Sequence, residues 1–296
     1  MLRRPRFELR WLLLAAPAAF AWSMWRQLAR AVRPANAEQA VLQGLQLTRG
    51  AKRVLAVTAH PDDLEAICAG TLRLMALAGS EIYVAVLSDG ANQTNWRSNL
   101  GEIRDMEEGN AANVVGYKQV HRLGFRDLSL SVIEEVQDEL AEVWQAVDPD
   151  VVFSFDPSFP GRFLAHPDHL TAGRAVLNIA RSELGRRARV YFYATRDTNV
   201  VVDITPVMED KVRAVLMHRS QLKMAPIFYS WLIRAAARLR GRPVQITYAE
   251  GFRALSLPVP DRRVARSRWT RPVSQRRTRG RPVSGQPASG GPGRQR

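Results

Sequence analysis

Residues 58–65 read Thr-Ala-His-Pro-Asp-Asp-Leu-Glu, which sets one imidazole and two adjacent carboxylates within four positions. They follow the apolar run Val54, Leu55, Ala56 and Val57, a pattern that reads as a buried strand. Two like charges at the end of such a strand repel and resist burial, so the pair calls for a cation. A second cluster, Ala-His-Pro-Asp-His at 165–169, comes after another apolar run at 151–155. The two clusters hold three of the five histidines in the chain. Imidazole nitrogen and carboxylate oxygen suit Zn2+, and a catalytic zinc takes about three protein ligands and keeps a position for water. His60, Asp63 and His169 are the expected ligands. That leaves Asp62 as the general base beside the metal, and His166 as the group that stabilises an oxyanion or protonates a leaving amine. Zinc lowers the pKa of bound water to about 7, so a neighbouring carboxylate can take its proton as it attacks a carbonyl. Asp168 is expected to orient one of the two histidines from behind. Alone, His-Pro-Asp-Asp would also fit a helix cap with solvated acids, and the second cluster weighs against that reading.

For these side chains to meet, the elements that carry them must end at one place. From residue 53 the chain alternates β-branched runs, at 53–59, 81–90, 119–123, 150–158, 189–195 and 200–205, with helical stretches at 63–78, 101–115, 131–147, 167–182 and 206–217. Apolar strands separated by helices of ten or more residues indicate βαβ units. The expected fold is α/β: a Rossmann-like, mostly parallel sheet covered by helices on both faces. Ligands bind such sheets beyond the carboxyl ends of the strands, where both clusters fall. No G-x-G-x-x-G, P-loop or G-x-S-x-G pattern occurs, so dinucleotide, nucleotide and serine-hydrolase readings lack their signatures. The single cysteine, Cys68, excludes an intrachain disulfide and is expected to be a small buried hydrophobe.

The formal charge of +15 is distributed unevenly. Residues 1–37 carry +6 and residues 262–296 carry +11, which leaves −2 for 38–261. A basic surface for nucleic acid is therefore not expected on the folded part, and Trp269 is the only aromatic after Phe252. Residues 11–25 are uncharged and flanked by arginines, so 1–37 is expected to be a membrane anchor. The alternative is a cleaved export signal, with Ala35-Asn36-Ala37 as the cutting site. The Arg-, Pro-, Gly- and Ser-rich stretch 262–296 is expected to be a disordered tail.

The chain resembles the PIG-L/LmbE family of zinc-dependent N-acetylglucosamine deacetylases. The resemblance rests on Ala-His-Pro-Asp-Asp-Leu-Glu with Gly-Thr-Leu after it, Ser-Asp-Gly-Ala at 88–91, Arg104 with Glu107, Leu-Gly-Phe-Arg-Asp at 123–127, His-Pro-Asp-His, His-Arg-Ser-Gln at 218–221 and Tyr-Ala-Glu-Gly-Phe-Arg at 248–253. It runs in order over residues 53–253, and Ala69-Gly70 stands where the family often has two glycines. The resemblance implies the same roles for His60, Asp62, Asp63, His166 and His169 as the residues themselves suggest. It implies a substrate that is a small or lipid-linked N-acetylated amino sugar. Arg97 and Arg104 are expected substrate contacts, and His218 a structural residue. Residues 227–246, apolar with arginines at near-helical spacing, suit a lid, a membrane-facing helix or core packing with snorkelling arginines. Two other functions remain open at this point. One is an amidase for a different N-acyl compound, and the other a basic membrane- or nucleic-acid-binding protein with a vestigial site.

Overall fold

The computed structural model describes residues 34–90, 100–126, 133–158, 166–222 and 224–256. The anchor expected at 11–25, the tail at 262–296 and Arg97 lie outside the described residues.

Seven strands form one sheet: β1 (Arg53–Thr58), β2 (Glu81–Ser88), β3 (Tyr117–Phe125), β4 (Val151–Phe155), β5 (Arg189–Tyr193), β6 (Val200–Asp203) and β7 (Ala249–Ala254), in the order β3-β2-β1-β4-β5-β7-β6. The first five are parallel, and β7 runs antiparallel to both β5 and β6. β1 and β4 are buried throughout all but one residue, as their unbroken apolar sequences require of strands covered on both faces. β3 lies at the edge and has no fully buried residue.

The helices are α1 (Ala37–Gly50), α2 (Asp63–Ile67), α3 (Ala69–Leu77), α4 (Leu100–Val115), α5 (Ile133–Val147), α6 (Pro167–Ala180), α7 (Met208–Val215) and α8 (Pro226–Gly241). Right-handed crossovers leftward from β1 through β2 to β3, and then rightward from β3 through β4 to β5, put α3 and α4 on one face and α5 and α6 on the other. α7 packs on α3 and α4, and α8 packs on α7 and β7, so both belong to the first face. One apolar core runs through both layers, with Trp144, Phe153, Phe192 and Phe252 among its fully buried side chains.

Three features differ from the sequence expectation. The helix expected at 63–78 is two helices, because Cys68 leaves helical geometry at φ −135°, ψ 9°. α1 was not anticipated. Asn36 caps it by accepting a hydrogen bond from Gln39 N at 2.9 Å, so the residues read as a cleavage site form a helix start. α1 lies directly on β6 at Gly44, where a Cβ would stand 1.9 Å from the Val201 carbonyl oxygen. The third is β7, which the motif at 248–253 conceals behind Glu250 and Arg253. Cys68 is fully buried, as expected. Among the described residues no helix is long and apolar enough to cross a membrane.

Candidate active site

β1 and β4 are neighbours at the middle of the sheet, where the strand order reverses direction, and an open parallel sheet has its crevice at that point. β1 delivers His60, Asp62 and Asp63 from one side. From the other, the chain beyond β4 enters α6 with His166 as its N-cap and Pro167 in the first turn. His166 and His169 are three residues apart, which places both on one side of that turn.

The turn after β1 is strained. Asp62 has φ 102° and ψ −20°, a left-handed conformation that costs a non-glycine residue about 1–3 kcal/mol. It separates the two neighbouring carboxylates. Asp63 turns inward, where its Oδ2 accepts from the Thr58 hydroxyl at 3.0 Å and from the His60 amide at 2.9 Å. Asp62 turns toward Arg104, whose Nη2 lies 3.3 Å from its Oδ1. The same guanidinium donates to the Pro61 carbonyl at 2.6 Å and the Gly90 carbonyl at 2.8 Å. Arg104 is 4% exposed, so the residue expected to contact substrate instead braces the turn that carries Asp62.

Around Asp63 the donor atoms converge. His60 Nδ1 lies 3.4 Å from Asp63 Oδ2, His169 Nε2 lies 3.3 Å from Asp63 Oδ1, and the two ring nitrogens are 3.3 Å apart. Ligands about 2.0–2.1 Å from a tetrahedral zinc are separated by roughly 3.3–3.4 Å, so these three groups fit such an ion. Ligand nitrogens of His60, His166 and His169 also fall within 4.8 Å of one another, which brings His166 within reach of the same position. Asp168, 1% exposed, has Oδ2 at 3.5 Å from His60 Nε2 and 3.9 Å from His166 Nδ1. A carboxylate behind a ligating histidine fixes the ring and raises its basicity. The Phe155 ring stacks on His169 at 3.9 Å and 9°, holding that ring from the side of β4.

The two aspartates differ in charge state for physical reasons. Burial would raise Asp63, but His169 and His60 outweigh it and hold its carboxyl well below the usual range. Withdrawal from bulk water raises Asp62 to about 6, with Arg104 opposing and Asp63 adding to the rise. One carboxylate stays ionised and the other is poised to exchange a proton near neutrality.

A second polar cluster lies beneath. His218 Nε2 is 3.2 Å from Glu65 Oε2 and 3.9 Å from Glu108 Oε2, and all three residues are buried. Burial works against charge on His218, but Glu65 outweighs it and the ring rises to about 9. Glu65 is lowered despite burial, through His218 and the Tyr117 hydroxyl at 2.7 Å, while burial and Glu65 push Glu108 up to about 8. At neutral pH the group is thus a carboxylate, an imidazolium and a neutral acid. His218, expected to be structural, is 2% exposed and held between two carboxylates. Its partners were missed, although Glu65 belongs to the first motif.

The PIG-L family, described as GlcNAc-PI de-N-acetylase, matches residues 55–180. A diacetylchitobiose deacetylase of Thermococcus kodakarensis is 32% identical over 223 residues, covering 68% of this chain and 82% of that protein. The chain belongs to the PIG-L family. A probable N-acetyl-alpha-D-glucosaminyl L-malate deacetylase 2 of Bacillus cereus is 30% identical over 189 residues, covering 57% of this chain and 84% of that protein. Among solved structures, N,N'-diacetylchitobiose deacetylase from Pyrococcus horikoshii superposes with a TM-score of 0.63 at 28% identity, over 74% of this chain and 88% of that one. As a PIG-L protein the chain is an enzyme, a hydrolytic deacetylase.

Proposed function

We propose that the chain removes the acetyl group from an N-acetylated amino sugar of the N-acetylglucosamine type, free or lipid-linked, with Zn2+ as its metal. The observation that carries the reading is the convergence of His60, Asp63 and His169 at 3.3–3.4 Å, with a separate carboxylate, Asp62, beside them. His60, Asp63 and His169 would hold the metal, which when bound polarises an amide carbonyl and makes water nucleophilic near neutral pH. Asp62 accepts the proton of the attacking water on its carboxylate, which a pKa near 6 allows. It then returns that proton to the amide nitrogen, so that the C–N bond breaks to give acetate and the free amine. His166 donates a hydrogen bond to the carbonyl oxygen as negative charge builds there. Arg104 keeps Asp62 in its left-handed turn, and Asp168 and Phe155 keep the imidazoles in place.

Acetate release should be measured across N-acetylated sugars, glycolipids bearing them and non-sugar N-acyl amides, with bound metal quantified on the same protein. Turnover confined to the sugar-containing compounds is the expected result. Metal-loaded protein that cleaves only the non-sugar amides would overturn the substrate class, and active protein without transition metal would overturn the metal.

A further inference from the structure

We propose that the outer face of α8, with Leu42 and Leu45 of α1, rests on the surface of an anionic lipid bilayer. α8 buries Tyr229, Leu232, Ile233, Ala236 and Ala237 against the domain. Residues 227, 231, 238 and 242, spaced by four, seven and four, share the opposite side. Ile227 is 79% exposed and Trp231 57%. Scattered apolar residues on a surface need no explanation, but these two lie on one stripe. Phe228 stands beside Trp231, with ring centroids 6.3 Å apart.

The remainder of the stripe is cationic. Arg238 and Arg242 are exposed, Arg238 lying over the Tyr248 ring and donating to its hydroxyl at 3.3 Å, and Glu209 beside the helix is neutralised by Arg234 at 2.7 Å. An apolar and aromatic end joined to arginines on the same face is the composition of a helix that lies in a bilayer interface. Its rings enter the acyl boundary while its guanidinium groups meet lipid phosphates.

The place where α8 ends supports the same occupant. The short turn after it, Arg242–Val244, borders a groove shared with α1 that is lined by Val41, Leu42, Leu45, Pro243 and Val244, with Glu38 the one carboxylate on it. Leu42 and Leu45 are 54% and 46% exposed at its rim. The described chain begins at Pro34, in a pocket shared with residues 197–199 and 253–256, and reaches this groove at Ala37. The uncharged run at 11–25 precedes that point by eleven residues, at most about 40 Å of fully extended chain. A bilayer that held this run would lie within reach of the groove and of α8.

The test uses the full-length chain with Ile227→Cys carrying an environment-sensitive NBD label, since Cys68 is fully buried and the labelled wild type serves as the blank. A matched label at Glu135→Cys, exposed on α5 across the sheet, is the control. On phosphatidylcholine vesicles containing phosphatidylglycerol, the label at 227 should shift to the blue and be quenched by nitroxide lipids, while that at 135 should not. A label at 227 that keeps its aqueous emission on vesicle-bound protein overturns the proposal. So does a blue shift that appears without vesicles and grows with protein concentration, which would assign this face to a second copy of the chain.

Discussion

Replacing Glu250 by glutamine keeps the side-chain volume and removes its charge, so the loss it causes measures electrostatics rather than packing. Glu250 comes from β7 and is 2% exposed. Its Oε1 accepts from Lys211 Nζ at 2.7 Å and Gly70 N at 3.1 Å, and its Oε2 accepts from Thr71 N at 2.8 Å and Thr71 Oγ1 at 2.6 Å. It therefore neutralises a buried ammonium and caps the first turn of α3 together. In Glu250→Gln, the buried Lys211 ammonium keeps only neutral acceptors, the glutamine amide oxygen and the Glu65 carbonyl at 3.1 Å, with no counter-charge. Breaking a buried pair from one side costs about 3–5 kcal/mol. For a domain of this size that lowers the melting temperature by roughly 6–20 °C. The reverse change is milder: in Lys211→Met the carboxylate keeps three donors and the helix N-terminus, so the cost is about 1–2 kcal/mol. Lys211→Met placed on Glu250→Gln removes the stranded ammonium, and this double variant should be more stable than Glu250→Gln alone. Equilibrium unfolding in urea, analysed as a double-mutant cycle, reads all three. If Lys211→Met proves as damaging as Glu250→Gln, or the double variant is the least stable, the reasoning fails.

The two aspartates should separate in a combined rate and metal measurement. Asp62→Asn retains metal and slows turnover on the order of 10²- to 10⁴-fold, whereas Asp63→Ala loses metal and activity together. Near wild-type turnover in Asp62→Asn would remove it as the base. Glu108 and His218 bind protons more tightly folded than unfolded, Glu108 from its ordinary 4.5 to about 8 and His218 from its ordinary 6.5 to about 9. The folded state holds extra protons across those windows, so stability is greatest below them and falls as pH rises through them. Urea midpoints should decline between pH 6.5 and 9, and Glu108→Gln, which cannot ionise, should flatten the part below pH 8; an unchanged slope would refute the assignment. Gly44→Val sets a side chain against the Val201 carbonyl and should loosen α1 from β6, seen as faster amide exchange in residues 37–50. Wild-type exchange there would show that the close approach is not needed.

The central strands were legible because β1, β2, β4 and β5 read as nearly unbroken apolar runs. β7 was not, since two of its six residues are charged and their partners, Lys211 and Asp156, lie far away in sequence. The break at Cys68 was hidden for a similar reason: the acceptor that caps the second helix arrives 180 positions later. At the site, residue types and spacing were enough to nominate His60, Asp62, Asp63, His166 and His169, which the fold brings together. Orientation was not encoded locally, so Arg104 read as a substrate contact when its acceptors are Pro61, Gly90 and Asp62. The motif residues turn out to be one another's partners. Glu107 holds Ser220 by its amide at 2.7 Å and its hydroxyl at 2.6 Å, Glu65 holds His218, and Glu250 holds Thr71.

The distance along the chain between α3 and its cap sets an order in time. During synthesis residues 58–71 leave the ribosome long before residue 250, so the helix that follows the catalytic turn waits for its cap until nearly the whole domain is made. A ribosome-bound nascent chain ending before β7 should therefore show rapid amide exchange at Gly70 and Thr71, and lengthening it through residue 256 should protect them. Activity in nascent chains is then expected only after β7 has emerged, because the last strand completes a helix begun near the start.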